Sequence, residues 1–219
     1  MLATTKKEAG LTLIELMIGM LLGLIVVGIA TQMYISTLGL TKQTAATTRL
    51  AQELRTVIDL IASDIKRAGY YSSAAVASNP YSSIVSGDLP IYVFDTNGDL
   101  DYDCVILGYE NNSSGEHIYG YKLDGSNISM LSVSSYAAGS QADCTGTSFI
   151  VSGGWEQLTD SRAVLINALS FTLEPNSLAS WAAASSKYID IEIVATSAVD
   201  QNVVKKLKES VRVRNEYTY

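Results

Sequence analysis

Two patterns of hydrophobic and polar positions predict a long helix at the start of the chain. Residues 16–41 carry no charged side chain, which is enough apolar sequence for a helix to cross a bilayer. Beyond them, apolar residues recur at helical steps of three and four: Leu50, Leu54, Val57, Ile58, Ile61 and Ile65. Lys66 and Arg67, followed by Gly69, are typical of a helix end. The sequence therefore predicts one helix over residues 11–68, about 87 Å long if it is unbroken.

After Gly69 the apolar positions alternate with a period of two, which predicts β-strands. The predicted strands are residues 91–95, 104–110, 117–123, 128–133, 149–152, 164–173, 188–195 and 209–217. Residues 124–127, Asp-Gly-Ser-Asn, are the clearest hairpin turn. No long helix separates the strands, so the expected fold class is α+β. It would combine a long N-terminal helix, half in the membrane and half amphipathic, with an antiparallel β-sheet in the shape of a lollipop.

These patterns divide the chain into three expected parts. Residues 1–10 are a leader that is removed on maturation. Residues 11–69 are the long helix, with a transmembrane segment at about 11–35. Residues 70–219 form a globular β-rich domain outside the cytoplasm, and its 150 residues suffice for one core.

The charge of the chain argues against one class of partner. The net charge is −7 at pH 7, and an acidic chain is a poor electrostatic match for nucleic acid, so no direct nucleic-acid binding is expected. Lys6 and Lys7 stand just before the apolar segment. Cationic residues at that position favour keeping the N-terminal end in the cytoplasm.

Glu15 lies where the apolar segment begins, and an ionised carboxylate in a bilayer is costly unless something pairs with it. The simplest partner is the α-amino group that is released if the chain is cut after Gly10. A secretory signal loses its apolar core on cleavage, whereas a cut after Gly10 keeps the apolar segment as an anchor. The alternative is an uncleaved single-pass anchor.

Residues 6–17, Lys-Lys-Glu-Ala-Gly-Leu-Thr-Leu-Ile-Glu-Leu-Met, resemble the cleavage and N-methylation signal of type IV prepilins. The resemblance implies that a prepilin peptidase cuts between Gly10 and Leu11 and methylates the new amino terminus of Leu11. It also implies that Glu15 helps to dock subunits into a filament, and that the fold is pilin-like. The chain departs from the family pattern at Leu11, where phenylalanine is the usual residue.

A second, narrower resemblance links the end of the helix and the end of the chain to PilW-like minor pilins. It rests on residues 54–70, on the strand 188–193 and on residues 211–215. J-type pseudopilins of type II secretion share a similar helix end and last strand. The middle of the chain carries neither resemblance.

These resemblances imply a minor pilin that helps to initiate pilus assembly at the pilus tip and that supports adhesion, twitching motility or DNA uptake. Its expected partners are the prepilin peptidase, other minor pilins, the major pilin and the inner-membrane assembly platform. The expected location is the bacterial inner membrane and later the pilus at the cell surface. The alternatives are a J-type pseudopilin and a membrane-tethered Ca²⁺-binding module that does not polymerise.

Cys104 and Cys144 both fall in the predicted extracytoplasmic domain, where a disulfide can form and persist. Closing the intervening loop would contribute about 4 kcal/mol in the chain-entropy model. The alternative is two buried free thiols. His117 is the only histidine of the chain, so a hydrolytic triad or a histidine metal site has little material, and no enzyme activity is expected.

An aspartate-rich stretch is the one candidate cation site. It consists of Asp95, Asn97, Asp99, Asp101 and Asp103. Carboxylates that alternate along an extended chain repel each other, and a Ca²⁺ ion, which takes six to eight oxygens, would remove that repulsion. The alternative is a hairpin turn at residues 97–98 with solvated carboxylates. Beyond this possible Ca²⁺, the sequence predicts no cofactor.

Overall fold

The computed structural model describes residues 10, 12–70, 91–96, 102–111, 115–133, 144, 154–175 and 187–214. The chain forms two compact units, Met1–Ala45 and Ala46–Tyr219. The described residues contain one α-helix and eight β-strands, and every strand pair is antiparallel. The α+β fold class that the sequence predicts, a long N-terminal helix with antiparallel sheet, is confirmed.

The helix α1 covers Leu13–Arg67, close to the predicted range. Its last turn carries Lys66 and Arg67, whose charges complement the negative end of the helix dipole. Gly69 then takes a positive φ of 77°, a conformation that glycine adopts without a steric penalty and that commonly ends helices. The N–H of Gly69 donates to the carbonyl of Gly108 at 2.8 Å, which fixes the helix end to a strand.

The first sheet has five strands in the order β1-β2-β3-β4-β5. They are β1 Ile91–Phe94, β2 Cys104–Asn111, β3 Gly115–Asp124, β4 Asn127–Val133 and β5 Trp155–Gln157. The predicted turn at residues 124–127 closes the β3–β4 hairpin, with Asp124 paired to Asn127 and Gly125 at a φ of 61°. This sheet is therefore a simple meander.

The second sheet has three strands in the order β6-β7-β8. They are β6 Val164–Glu174, β7 Tyr188–Ser197 and β8 Val204–Arg212. The two sheets meet where β6 passes one end of the first sheet. There the N–H of Ile166 donates to the carbonyl of Ser126, and the N–H of Phe171 donates to that of Tyr102. The β-structure is thus divided between two sheets, whereas the sequence pattern pointed to a single one.

Two other strand predictions differ from the structure. The last strand begins at Val204 and ends at Arg212, whereas the predicted range was 209–217. The prediction therefore placed the start five residues too late, and it included residues 213 and 214, which are not in the strand. The first half of this strand is rich in lysine, which is uncommon in strands. It is a strand because it pairs with β7, and the pairing ends at Arg212, which lies opposite the first residue of β7. The short strand β5 was not predicted. The predicted strand at residues 149–152 lies outside the described residues.

The core of the second unit joins the helix to both sheets. The apolar stripe of α1 is buried from Leu50 to Ile65, as its spacing predicted. It packs in one cluster with Tyr121 and Val105 of the first sheet and Phe171 of the second. A smaller cluster contains Ile106, Ile118 and Leu131 of the first sheet together with both cysteines. The first sheet therefore carries apolar side chains on both faces.

Candidate functional site

The first candidate site is the start of α1, where processing and assembly residues are expected. Gly10 is exposed and Leu11 lies outside the described residues. Thr12 precedes the helix, and its carbonyl and hydroxyl both accept from the N–H of Glu15, at 3.1 and 3.4 Å. Glu15 is thereby placed in the first helical turn, where a negative charge is favoured by the helix dipole.

Thr12 and Glu15 have the spacing of a capping box, a threonine followed three residues later by a glutamate. The sequence alone carries this local signal for a helix start, and the predicted range, which begins at residue 11, missed it. The spacing suits Glu15 to a role in starting the helix, in addition to the expected role in pairing with an amino terminus.

The first unit offers a helix surface suited to a membrane. The segment of α1 up to Leu40 exposes every large apolar side chain that it carries, and its most apolar 18-residue window has a mean hydropathy of 2.6 with no buried residue. By length and composition α1 is able to cross a bilayer. Its Thr31, Thr37 and Thr41 hydroxyls donate to carbonyls one turn earlier, so they add little exposed polarity.

The second candidate site is a buried polar cluster at the other end of α1. Asp64 lies on the helix, is 3% exposed and accepts two hydrogen bonds from the first sheet. The hydroxyl of Tyr109 donates to one carboxylate oxygen at 2.9 Å, and that of Tyr121 donates to the other at 2.5 Å. A buried carboxylate requires such partners. The cluster therefore ties the helix to β2 and β3.

The surroundings of Asp64 hold both tyrosines in their neutral form. Burial, and then the negative charge of Asp64, raise the pKa of Tyr109 and of Tyr121 far above their usual value. The Arg67 guanidinium lies over the Tyr109 ring at 5.9 Å, and the hydrogen bond with Tyr109 raises the pKa of Arg67. Tyr109 also stacks on Tyr119 with 4.8 Å between ring centroids.

Helical spacing and the resemblance of residues 54–70 predicted the apolar stripe and the helix end, but not this cluster. The signal that would have found it is the position of Asp64 beside Ile61 and Ile65 on the apolar stripe. A carboxylate on a buried helix face demands donors from the element that packs against it. Tyr109 and Tyr121 lie in predicted strands and would have been the natural candidates.

Cys104 and Cys144 form a disulfide bond, with their Cα atoms 6.3 Å apart. Cys104 begins β2, and both cysteines are buried in the smaller apolar cluster against Trp155. Lys122 adds a polar contact here, because its ammonium donates to the carbonyl of Cys144 at 3.2 Å and lies 4.6 Å from the Trp155 ring. The bridge thus holds Cys144 to the outer face of the first sheet.

The aspartate-rich stretch is described only at its two ends, and Asn97, Asp99 and Asp101 lie outside the described residues. Asp103 is buried, and its two oxygens accept from the N–H and the hydroxyl of Thr96 at 2.9 and 2.6 Å. The Ca²⁺ site and the hairpin turn both stay predictions. A rise in the melting temperature of the full chain with millimolar Ca²⁺ would favour the ion, and no change would favour the turn.

His117, the only histidine, is buried on β3, where its ring stacks on Tyr119 at 5.9 Å. Within the described parts of the chain, no group of three or more histidine, cysteine, aspartate or glutamate side chains is placed to hold a metal ion.

Two protein families match the chain. Residues 43–213 match prepilin peptidase-dependent protein B, and residues 5–31 match the prokaryotic N-terminal methylation motif. No curated protein and no solved structure matches it significantly.

The motif, the apolar helix and the β-rich unit define a type IV prepilin-like protein, as the sequence predicted. The chain belongs to the family of prepilin peptidase-dependent protein B, which covers most of its length. Both families are structural and of the pilin type rather than enzymatic.

Proposed function

We propose that this protein is a minor pilin that helps to initiate assembly of a type IV pilus, with its place at the pilus tip. The observation that carries the proposal is the combination of an N-terminal methylation motif at residues 5–31 with a prepilin peptidase-dependent family over residues 43–213. Such a subunit acts by assembly and not by catalysis. It supports adhesion, twitching motility or DNA uptake through the filament.

Maturation is the first step of the proposed function. A prepilin peptidase removes residues 1–10 by cutting between Gly10 and Leu11, and the new amino group of Leu11 is methylated. The cut leaves the apolar part of α1 in the mature subunit. Glu15 then lies one helical turn from a positive terminus, and pairing with the terminus of a neighbouring subunit would set the axial register between the two.

The exposed apolar side chains of the first unit support the proposed location. In water this surface would be strongly unfavourable, at about 25 cal/mol for each Å² exposed. The bacterial inner membrane covers it before assembly, while the inner-membrane platform receives the subunit. Packed helices of the other minor pilins and the major pilin cover it in the filament.

The test is deletion of the gene in the native host, with sheared surface pili and secreted proteins measured in the same cultures. Pilus retraction is blocked in a parallel strain, because faster retraction alone would also reduce surface pili. Depleted pili in both backgrounds with a normal secretome are the expected result. Normal pili with proteins retained in the periplasm would reject the minor pilin and identify a J-type pseudopilin, which the helix end and the last strand also resemble.

A further inference from the structure

Among the strands that the structure describes, β8 has an open edge. It pairs with β7 on one side, and no described strand pairs with it on the other. The N–H of Ser197 donates to the carbonyl of Val203, and the register then continues without a shift to Arg212. In an antiparallel ladder the bonded pairs alternate. The backbone groups of Lys206 and Lys208 therefore point away from β7, toward the open edge.

Next to this edge lies a groove of about 800 Å³ between β8 and the helix. Thr48, Gln52 and Thr56 of α1 line one side of the groove, and Lys205 and Leu207 of β8 line the other. The helix residues that border it extend from Thr47 to Asp59, about 18 Å at 1.5 Å per residue. An extended segment of five or six residues has about the same length.

Lys206 and Lys208 of β8 do not close the edge. Lysines on an edge strand commonly block pairing with another chain. Here the ammonium groups of Lys206 and Lys208 bind Glu192 and Asp190 at 2.5 and 2.8 Å, across the face of β7. Both side chains are thus drawn toward the sheet and away from the open side of β8.

The groove has a net positive charge. Arg55 pairs with Asp59 at 3.4 Å on the helix side. Lys205 faces the groove from β8 and has no ion-pair partner among the residues that the structure describes. An occupant with small or apolar residues toward Leu207 and a carboxylate near Lys205 would match both the shape and the charge.

We infer that β8 accepts an added strand, an extended segment with an acidic residue from another subunit of the same filament, laid in the groove beside α1. The backbone groups at Lys206 and Lys208 supply the hydrogen bonds, and Lys205 selects the charge. The identity of the partner rests on the proposed function. The open edge and the groove do not.

Proline at position 206 tests the inference with little effect on the subunit itself. Lys206→Pro removes an N–H that points away from β7, so the β7–β8 ladder keeps its bonds. Lys206→Ala is the matched control, because it also loses the ion pair with Glu192 but keeps the N–H. Equal melting temperatures of the two full-length variants in detergent establish that both fold alike.

The measurement is photo-crosslinking in the native host, with p-benzoylphenylalanine in place of Gln52 in the full-length chain. We expect a crosslink to an acidic, extended segment of another prepilin-type subunit, identified by peptide mass spectrometry. Its yield should fall about tenfold or more with Lys206→Pro, the equivalent of roughly 1.4 kcal/mol, and less than about twofold with Lys206→Ala.

Three results would overturn the inference: an equal yield in both variants, a crosslink to this chain's own residues, or no crosslink in cells that make normal pili. Pilus counts in the deletion strain are independent of this readout. A chain that is needed for pili but gives no proline-sensitive crosslink would leave the proposed function standing without the strand addition.

Discussion

At the residue scale, Asp64 decides how the helix is held on the first sheet. It lies near the C-terminal end of α1, where the helix dipole disfavours a carboxylate. Two tyrosine hydroxyls and the nearby Arg67 compensate for this position. The same residue therefore weakens the isolated helix and strengthens the folded unit.

Replacing Asp64 tests that balance. Asp64→Ala leaves the hydroxyls of Tyr109 and Tyr121 buried without their acceptor, so we expect the free energy of unfolding to fall by about 3 kcal/mol. Urea unfolding of the full chain in detergent, followed by tyrosine fluorescence, measures the loss. Asp59→Ala is the control, because its exposed ion pair with Arg55 is worth less than about 1 kcal/mol. Equal losses in the two variants would contradict the role given to Asp64.

The two tyrosines also predict a dependence on pH. Their pKa values are raised in the folded state, whereas an unfolded tyrosine ionises near its ordinary pKa of about 10. Above that pH the unfolded chain binds fewer protons than the folded chain, so stability is intact below about pH 10 and is lost as the pH rises further. Urea unfolding between pH 9 and pH 11 measures the loss. A double Tyr109→Phe, Tyr121→Phe variant should lose less over the same interval, and an equal slope would exclude these residues as the cause.

At the scale of elements, the sequence predicted the features that depend on local periodicity and on turn residues. The stripe from Leu50 to Ile65 and the turn at residues 124–127 are local patterns, and both are found where expected. Pairing is not local. The division into two sheets depends on contacts of β6 with Ser126 and Tyr102, which are distant in sequence. The strand β5 has only three residues, too few to show an alternation of apolar and polar positions. At the candidate site, the Asp64 cluster depends on partners 45 and 57 residues away.

The disulfide between Cys104 and Cys144 stabilises the first sheet, and substitution of both cysteines tests its contribution directly. Its two cysteines are separated by 40 positions, and opening such a loop removes about 4 kcal/mol in the chain-entropy model. We expect the double Cys104→Ala, Cys144→Ala variant to lose that amount in urea unfolding of the full chain. Lys122→Ala removes a neighbouring contact without opening the loop and should lose about 1 kcal/mol. A double variant as stable as the parent would mean that the bridge adds no stability.

At the scale of the whole molecule, the proposed function places one chain in two environments in succession, the membrane and the filament. The first unit exposes apolar side chains that need lipid or packed helices, while the second unit has a core of its own. Glu15 is the residue whose expected role belongs to assembly. The proposed function gives it a partner only when a second subunit arrives, so its importance should be visible in assembly and not in the fold of the second unit.

Glu15→Gln separates the two roles of this residue. Glutamine keeps the capping-box pattern with Thr12, but it removes the charge that would pair with the amino terminus of a neighbouring subunit. If charge pairing sets the register, Glu15→Gln should reduce surface pili as strongly as Glu15→Ala, because both variants leave that terminus unpaired in an apolar setting. Pili sheared from deletion strains that express each variant provide the measurement, with equal membrane levels of the chain as the control. Wild-type pili with Glu15→Gln and few with Glu15→Ala would instead assign Glu15 to starting the helix, and the proposed register contact would have to come from another residue.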